Sequence, residues 1–288
     1  MRFLLRALAR TPLPLLYAYG WIVYAIGFHV ARWRREQVAG DVAQAFPEKT
    51  AAERAAIVRQ SYRNLADVVV EAAWGFGASA DALRARVVFE NPEVIDRAVA
   101  EKHSVVLLAP HFCNWEWLLL AGGATFGLPL DAVYQTLRVE AVDRYLREAR
   151  SRFGGKPIRR EDFVYELMSR AGTPRAYGLI ADQTPPRDER KHWTRLLNRD
   201  TAFFVGAEKI ARFLDATVLY VAMRRVRRGH YSVRFSVLAE PPYVRDAEGE
   251  ASPIMEGFAR NLEQAVRRSP ADWLWVQKRW KYPKPPDA

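Results

Sequence analysis

Cysteine is almost absent: Cys113 is the only one in 288 residues. A single thiol excludes an intrachain disulfide framework and a zinc site built from several cysteines, and it suits a reducing compartment. Histidine is also scarce. His29, His103, His192 and His230 show no ligand spacing and no HExxH pair occurs, so no metal is expected. The chain has no GxSxG nucleophile elbow, internal repeat or low-complexity tract. Acidic residues are the minority charge, 33 against 44 basic ones, and the net charge is +11. Such a balance attracts anionic partners, whether nucleic acid, phosphorylated lipid or an acidic carrier protein. Half of the residues are hydrophobic, which excludes wholesale disorder and supplies a substantial core.

Charge is missing altogether from Thr11 to Ala31, 21 residues that read TPLPLLYAYGWIVYAIGFHVA. A bilayer core of roughly 30 Å takes about 20 helical residues, so the run is long enough for one crossing. Arg2, Arg6 and Arg10 precede it and Arg32, Arg34 and Arg35 follow it; this symmetry gives no orientation. Pro12, Pro14, Gly20 and Gly27 weaken a helix, and Tyr17, Tyr19, Trp21 and Tyr24 prefer an interface. The segment is expected either to cross the membrane or to lie in it, and a membrane partner leaves nucleic acid the poorer explanation of the basic charge.

Residues 32–85 read as mainly helical, with Leu65, Val68, Val69, Ala72 and Ala73 on one stripe. Strand-length apolar runs follow at 104–109, 131–136, 176–181, 217–223 and 231–238, with helix-length segments at 115–123, 139–153, 161–171 and 203–215. Strand and helix in alternation predict an α/β layer with a mixed, mostly parallel sheet flanked by helices. Gly229 and the alternating HYSVRFSV predict an antiparallel hairpin at one edge. The expected organisation is an N-terminal membrane anchor, 1–35, and one catalytic domain, 36–288.

Ligands in such sheets sit beyond the carboxyl ends of strands, which is where His111 falls, in LLAPHFCNWEW. Asn114 is a good N-cap for a helix beginning at Trp115, which leaves His111 in a loop and Glu116 in the first turn. A carboxylate on one imidazole nitrogen fixes the tautomer and leaves the other nitrogen as a base. A helix N-terminus nearby can donate N–H groups to a developing oxyanion. From spacing alone, a packed or capping histidine is the competing reading. Cys113 is a rival nucleophile or a buried structural thiol.

HFCNWEW resembles the HFGNWE-type block, an H-x4-E/D motif, of bacterial lipid A biosynthesis acyltransferases, the secondary lauroyl and myristoyl transferases related to glycerolipid acyltransferases. Further stretches resemble that family in order: FPEKTAAERAAIVRQSYRNLADVVVE (46–71), VYQTLRVEAVDRYLREARSRFGGKPI (133–158), ADQTPP (181–186), AFFVGAEKIARFLDATVLYV (202–221) and PADWLWVQKRWKYP (270–283). The resemblance implies a single glycerolipid-acyltransferase-like α/β domain. It implies transfer of a fatty acyl group from an acyl carrier protein thioester, with no cofactor, to a hydroxyl of a lipid A precursor. The expected location is the cell inner membrane, with the catalytic domain facing the cytoplasm. His111 would be the general base and Glu116 would orient and polarise it. Asn114, Arg150, Arg152, Arg159, Asp182 and Gln183 would contact substrate. Two departures stand out. Cys113 replaces a usual glycine, and Val276-Gln277-Lys278-Arg279 stands where a histidine and two arginines are common. A second reading keeps the dyad and changes the acceptor to another glycolipid, an amino-acid lipid or an aryl-polyene-type product. A third is a membrane-bound basic binding protein.

Residues 144–160 carry seven basic side chains against Glu148. Arginine suits phosphate because its planar fork bonds two oxygens at once. Trp273, Trp275 and Trp280 beside Lys278, Arg279 and Lys281 read as an interfacial arrangement, or as a buried aromatic anchor.

Overall fold

The computed structural model describes residues 7–243 and 252–286; Arg2 and Arg6, counted above as flanking the apolar run, lie outside them. The run itself forms helix α1 (Leu13–Ala25) and continues through a wider π-type turn, Ile26–Val30. Pro12 and Pro14 fall at the cap and first turn of α1, where no intrahelical N–H is needed, so they open the helix rather than weaken it. Leu13, Leu16, Gly20 and Tyr24 are buried. Helix α2 (Arg35–Ala45) leads to the long helix α3 (Ala51–Gly75), whose start is fixed by a reciprocal capping box between Thr50 and Glu53. A Cβ on Gly20 would come within 3.3 Å of Val70, so α1 approaches α3 closely at that point. Helix α1 of the expected anchor thus packs on α3 of the expected catalytic domain, while Leu15, Tyr19, Trp21, Ile22, Ile26 and Val30 stay exposed. Leu13–Val30 is long and apolar enough to cross a membrane by length and composition.

The buried face of α3 is partly polar. Asn64, Asp67 and Glu71 are all buried, whereas Val69, placed above on the apolar stripe, is exposed. Glu71 accepts hydrogen bonds from the Tyr17 hydroxyl of α1 (2.8 Å), Asn114 Nδ2 (2.9 Å) and the Tyr231 hydroxyl (2.5 Å). Tertiary donors, not helical periodicity, decide which side of α3 faces inward.

Short helix α4 (Ala80–Arg84) precedes β1 (Val87–Phe89) and α5 (Glu93–Ala100). Then come β2 (Val105–Ala109), α6 (Trp115–Thr125), β3 (Leu130–Tyr134), α7 (Glu140–Arg150), β4 (Pro157–Arg159), α8 (Phe163–Arg170) and β5 (Ala176–Ile180). A two-stranded hairpin, β6 (Lys191–Leu196) and β7 (Arg199–Phe204), is followed by α9 (Gly206–Leu214), β8 (Thr217–Arg227), β9 (His230–Ala239) and α10 (Pro253–Arg268).

The main sheet has the order β1-β9-β8-β2-β5-β3-β4. Its pairs are parallel except β8 with β9, so the expected mixed, mostly parallel α/β sheet is present. The β8–β9 hairpin forms as Gly229 predicts, with φ +68° at that residue. It is not at the edge, because β1 pairs along β9 outside it. Three residues of β1 are too few to show a strand period in sequence. The β6–β7 hairpin was also unanticipated. Leu197 and Asn198 at its tip both have positive φ, the requirement of a tight type I′ turn, without the usual glycine.

Candidate active site

Strand β2 ends at Ala109, Pro110 breaks it, and His111 follows before α6 begins. Asn114 caps α6 by accepting from the Trp117 N–H at 2.9 Å. The same side chain donates to Glu71, so the turn is tied to α3 as well as to its own helix. Cys113 takes a left-handed φ of +53°, the conformation glycine adopts without steric cost. Its thiol is buried beside the Met223 carbonyl (3.7 Å), and burial pushes its pKa well up. The thiol is thus a buried group at the turn and does not line the cavity that His111 faces.

The imidazole is held by Asp182, which follows β5. Asp182 Oδ1 lies 2.8 Å from His111 Nδ1, and Oδ2 accepts from the His111 backbone N–H at 3.0 Å. Oδ2 also accepts from Trp273 Nε1 (2.8 Å) and Gln277 Nε2 (3.1 Å). Burial of this carboxylate pushes its pKa upward. The attraction of His111 and the donors from His111, Trp273 and Gln277 outweigh burial and hold it below the ordinary value. The C-terminal segment also bonds the histidine loop directly, Leu274 N–H to the His111 carbonyl (3.0 Å) and Cys113 N–H to the Asp272 carbonyl (2.9 Å).

The geometry of the expected His111–Glu116 dyad differs in its carboxylate. Glu116 does fall in the first turn of α6, but Arg150 bonds both of its oxygens, at 3.0 and 2.5 Å. A carboxylate gripped by a guanidinium fork has its strongest partner already. Asp182, expected as a substrate contact, takes the orienting position on the imidazole and is itself fully buried.

His111, Glu116, Arg150 and Gln183 line one cavity of about 640 Å³. It runs beside α6: Glu116 and Phe126, ten residues apart and so about 15 Å along a helix, both face it. The registered row Leu107–Gly178–Ala132 crosses β2, β5 and β3 and lines it too, the last two residues being small enough to leave a trough. Phe89, Phe126 and Phe235 pack together at its far end, with Phe89 and Phe126 centroids 4.8 Å apart. The lining is predominantly apolar, with His111, Glu116, Arg150 and Gln183 among its polar groups.

The structure keeps other expected contacts away from this cavity. Asn114 is buried as cap and link. Arg152 gives its guanidinium to the carbonyls of Phe76 (2.8 Å) and Ala78 (2.9 Å) beyond the end of α3, and Arg159 pairs at the surface with Asp162. Arg152→Ala is expected to cost about 1 kcal/mol, seen as a fall in Tm of about 2–4 °C, with KM unchanged. A rise in KM without a change in Tm would restore Arg152 to substrate binding.

For the C-terminal tryptophans the structure takes the second of the two expected readings. Trp273 and Trp275 are buried, as is Arg279, and Trp280 donates to Thr201 (2.8 Å). They form an aromatic anchor behind the site, not an interfacial belt. Trp273 and Gln277 were not anticipated as partners of the site, because nothing local in sequence links them to Asp182.

Comparison with known proteins identifies the family. The family model for bacterial lipid A biosynthesis acyltransferase matches residues 2–282. A lipid A biosynthesis acyltransferase of Haemophilus influenzae is 24% identical over 259 residues, covering 86% of this chain and 76% of its own. A lipid A biosynthesis palmitoleoyltransferase of Escherichia coli K12 is 23% identical over 252 residues, covering 86% and 79%. A lipid A biosynthesis acyltransferase of Shigella flexneri is similar to the same extent. With a histidine–aspartate pair at an apolar cavity and a family match along nearly its whole length, the chain belongs to the bacterial lipid A biosynthesis acyltransferases and is an acyl-transferring enzyme.

Proposed function

We propose that the enzyme moves a fatty acyl group from an acyl carrier protein thioester to a hydroxyl of a lipid A precursor, at the cytoplasmic face of the inner membrane. The observation that carries this reading is the His111–Asp182 pair at a long apolar cavity. With Nδ1 engaged by Asp182, Nε2 is the nitrogen left to take the acceptor's proton. The hydroxyl oxygen bonds to the thioester carbonyl carbon, the carbon–sulfur bond breaks, and His111 returns the proton to the departing thiolate. The products are an ester and the free carrier thiol, with no acyl-enzyme. The first-turn N–H groups of α6 that Asn114 leaves uncapped supply positive potential to the oxyanion. Glu116 holds Arg150 at the cavity, where a phosphate of either substrate would meet it. The exposed apolar side of α1 supports attachment to the membrane that contains the acceptor.

Mass spectrometry of lipid A from cells lacking the protein, complemented with wild type or His111→Ala, tests the reading. One acyl chain missing and restored only by wild type is the expected result; unchanged lipid A throughout rejects lipid A as the acceptor. The cavity's role has its own test. A Cβ at Gly178 meets only ordinary contacts, with Leu130 at 3.5 Å, so a larger side chain there projects into the trough. Gly178→Leu should cost long donors about 1–3 kcal/mol through overpacking, roughly ten- to a hundredfold in kcat/KM, and spare short ones. Equal loss at every chain length would remove the acyl chain from this cavity.

A further inference from the structure

Arg279 is 2% exposed, yet among the described residues no carboxylate pairs with it. One nitrogen, Nη2, donates to the Ala202 carbonyl at 2.6 Å, and the group stacks 4.5 Å from the Phe203 ring centroid. Among the described residues Nε and Nη1 have no hydrogen-bond partner. Asp182 is the complementary case, a fully buried carboxylate whose four donors include no arginine or lysine. The backbones that carry these two charges run together. Thr184, two residues after Asp182, donates to the Arg279 carbonyl at 2.5 Å, while Gln277, two residues before Arg279, donates to Asp182. Isolated buried charges are costly, and opposite charges in the same dry region compensate one another.

We propose that Arg279 is a positioning residue of the active site, whose buried charge neutralises that of Asp182 so that His111 is kept as the neutral base. This rests on the reading of His111 as base given above. Burial draws the Arg279 guanidinium down to about 10, with Asp182 foremost in holding it up, so it stays charged at neutral pH. The other charged or titratable groups around the pair are Glu116 and Arg150 across the cavity, mutually paired, Asp272 and Arg225, also mutually paired, and Tyr220, Cys113 and Tyr282, all raised by burial and so neutral. Among these groups Arg279 is the cation without a carboxylate partner. Removing it leaves Asp182 uncompensated beside His111, which favours the imidazolium and moves the His111 ionisation to higher pH.

The test is an NMR titration of the His111 imidazole in histidine-labelled full-length protein, with kcat/KM against pH measured in parallel. Wild type is compared with Arg279→Lys, Arg279→Gln and Arg279→Met. Gln retains a donor for Ala202 and Met fills the space, so one of them is available if the other fails to fold. In both uncharged variants the His111 ionisation should rise by about one pH unit. The acid limb of the rate profile should shift with it, the alkaline plateau should be preserved, and Lys should restore the wild-type values. An unmoved His111 ionisation with activity lost equally at every pH overturns the proposal and leaves Arg279 a packing residue. The titration reads the Arg279–Asp182 coupling whether or not His111 is the base. Full activity in His111→Ala would instead reject the mechanism, independently of the titration.

Discussion

Asp182→Asn is expected to lower kcat by roughly 10³–10⁴-fold with KM nearly unchanged. Three donors converge on Oδ2, the His111 backbone N–H, Trp273 and Gln277. An asparagine at this position must present its oxygen to them, which turns its NH₂ toward His111 Nδ1. The imidazole then accepts at Nδ1 and carries its proton on Nε2, so the nitrogen facing the cavity no longer has a lone pair. Size and donor count hardly change, so the fold and substrate binding should persist. His111→Ala should be at least as damaging, and the double variant should be little worse than the single ones, because the two residues act as a unit. Glu116→Gln separates the two candidate carboxylates. It loosens Arg150 but leaves the imidazole oriented, so its kcat should exceed that of Asp182→Asn by a wide margin. Single-turnover rates with all three variants decide this. Equal collapse of Glu116→Gln with a mild Asp182→Asn would return the orienting role to Glu116.

The second large effect concerns Glu71. Glu71→Ala should destabilise the protein by about 3–5 kcal/mol, the summed cost of three donors that lose their acceptor, a drop on the order of 10 °C in Tm. The carboxylate accepts from Asn114 and Tyr231 in the interior and from the half-buried Tyr17, and each would be left with an unmet donor. The consequence reaches the site, since Asn114 caps α6 and the cap sets the turn that carries His111. It also reaches α1, because Tyr17 hydrogen-bonds that helix to α3. Tyr17→Phe deletes only one of the three donors and should cost about 1 kcal/mol. Thermal denaturation of both variants checks the ordering. A Glu71→Ala variant no less stable than Tyr17→Phe would show that the carboxylate is not the centre of the cluster.

How far the site was legible before folding differs from residue to residue. His111 could be placed at a strand's carboxyl end because an apolar run, a proline and an N-cap follow one another locally. Glu116 was five positions away and looked like its partner, whereas Asp182 lies 71 residues on and reaches it because β5 pairs beside β2. Arg152 and Arg150 are indistinguishable in sequence, yet one ties down the segment after α3 and the other faces the cavity. The C-terminal tryptophans have an interfacial composition, but the segment that carries them is folded behind the histidine loop.

The sequence by itself determined the alternation of strands and helices, the apolar helix at the start, the position of His111 and, through ordered motifs, the family. These follow from local periodicity, capping and spacing, which a short window of chain contains. Only the tertiary structure decided which carboxylate holds the imidazole, which arginines face the cavity, where Arg279 is buried and how deep the apolar trough runs. Each of those depends on the register of strands and on chain segments tens to hundreds of residues apart. Hydrogen bonds and burial become defined there only once the sheet has closed.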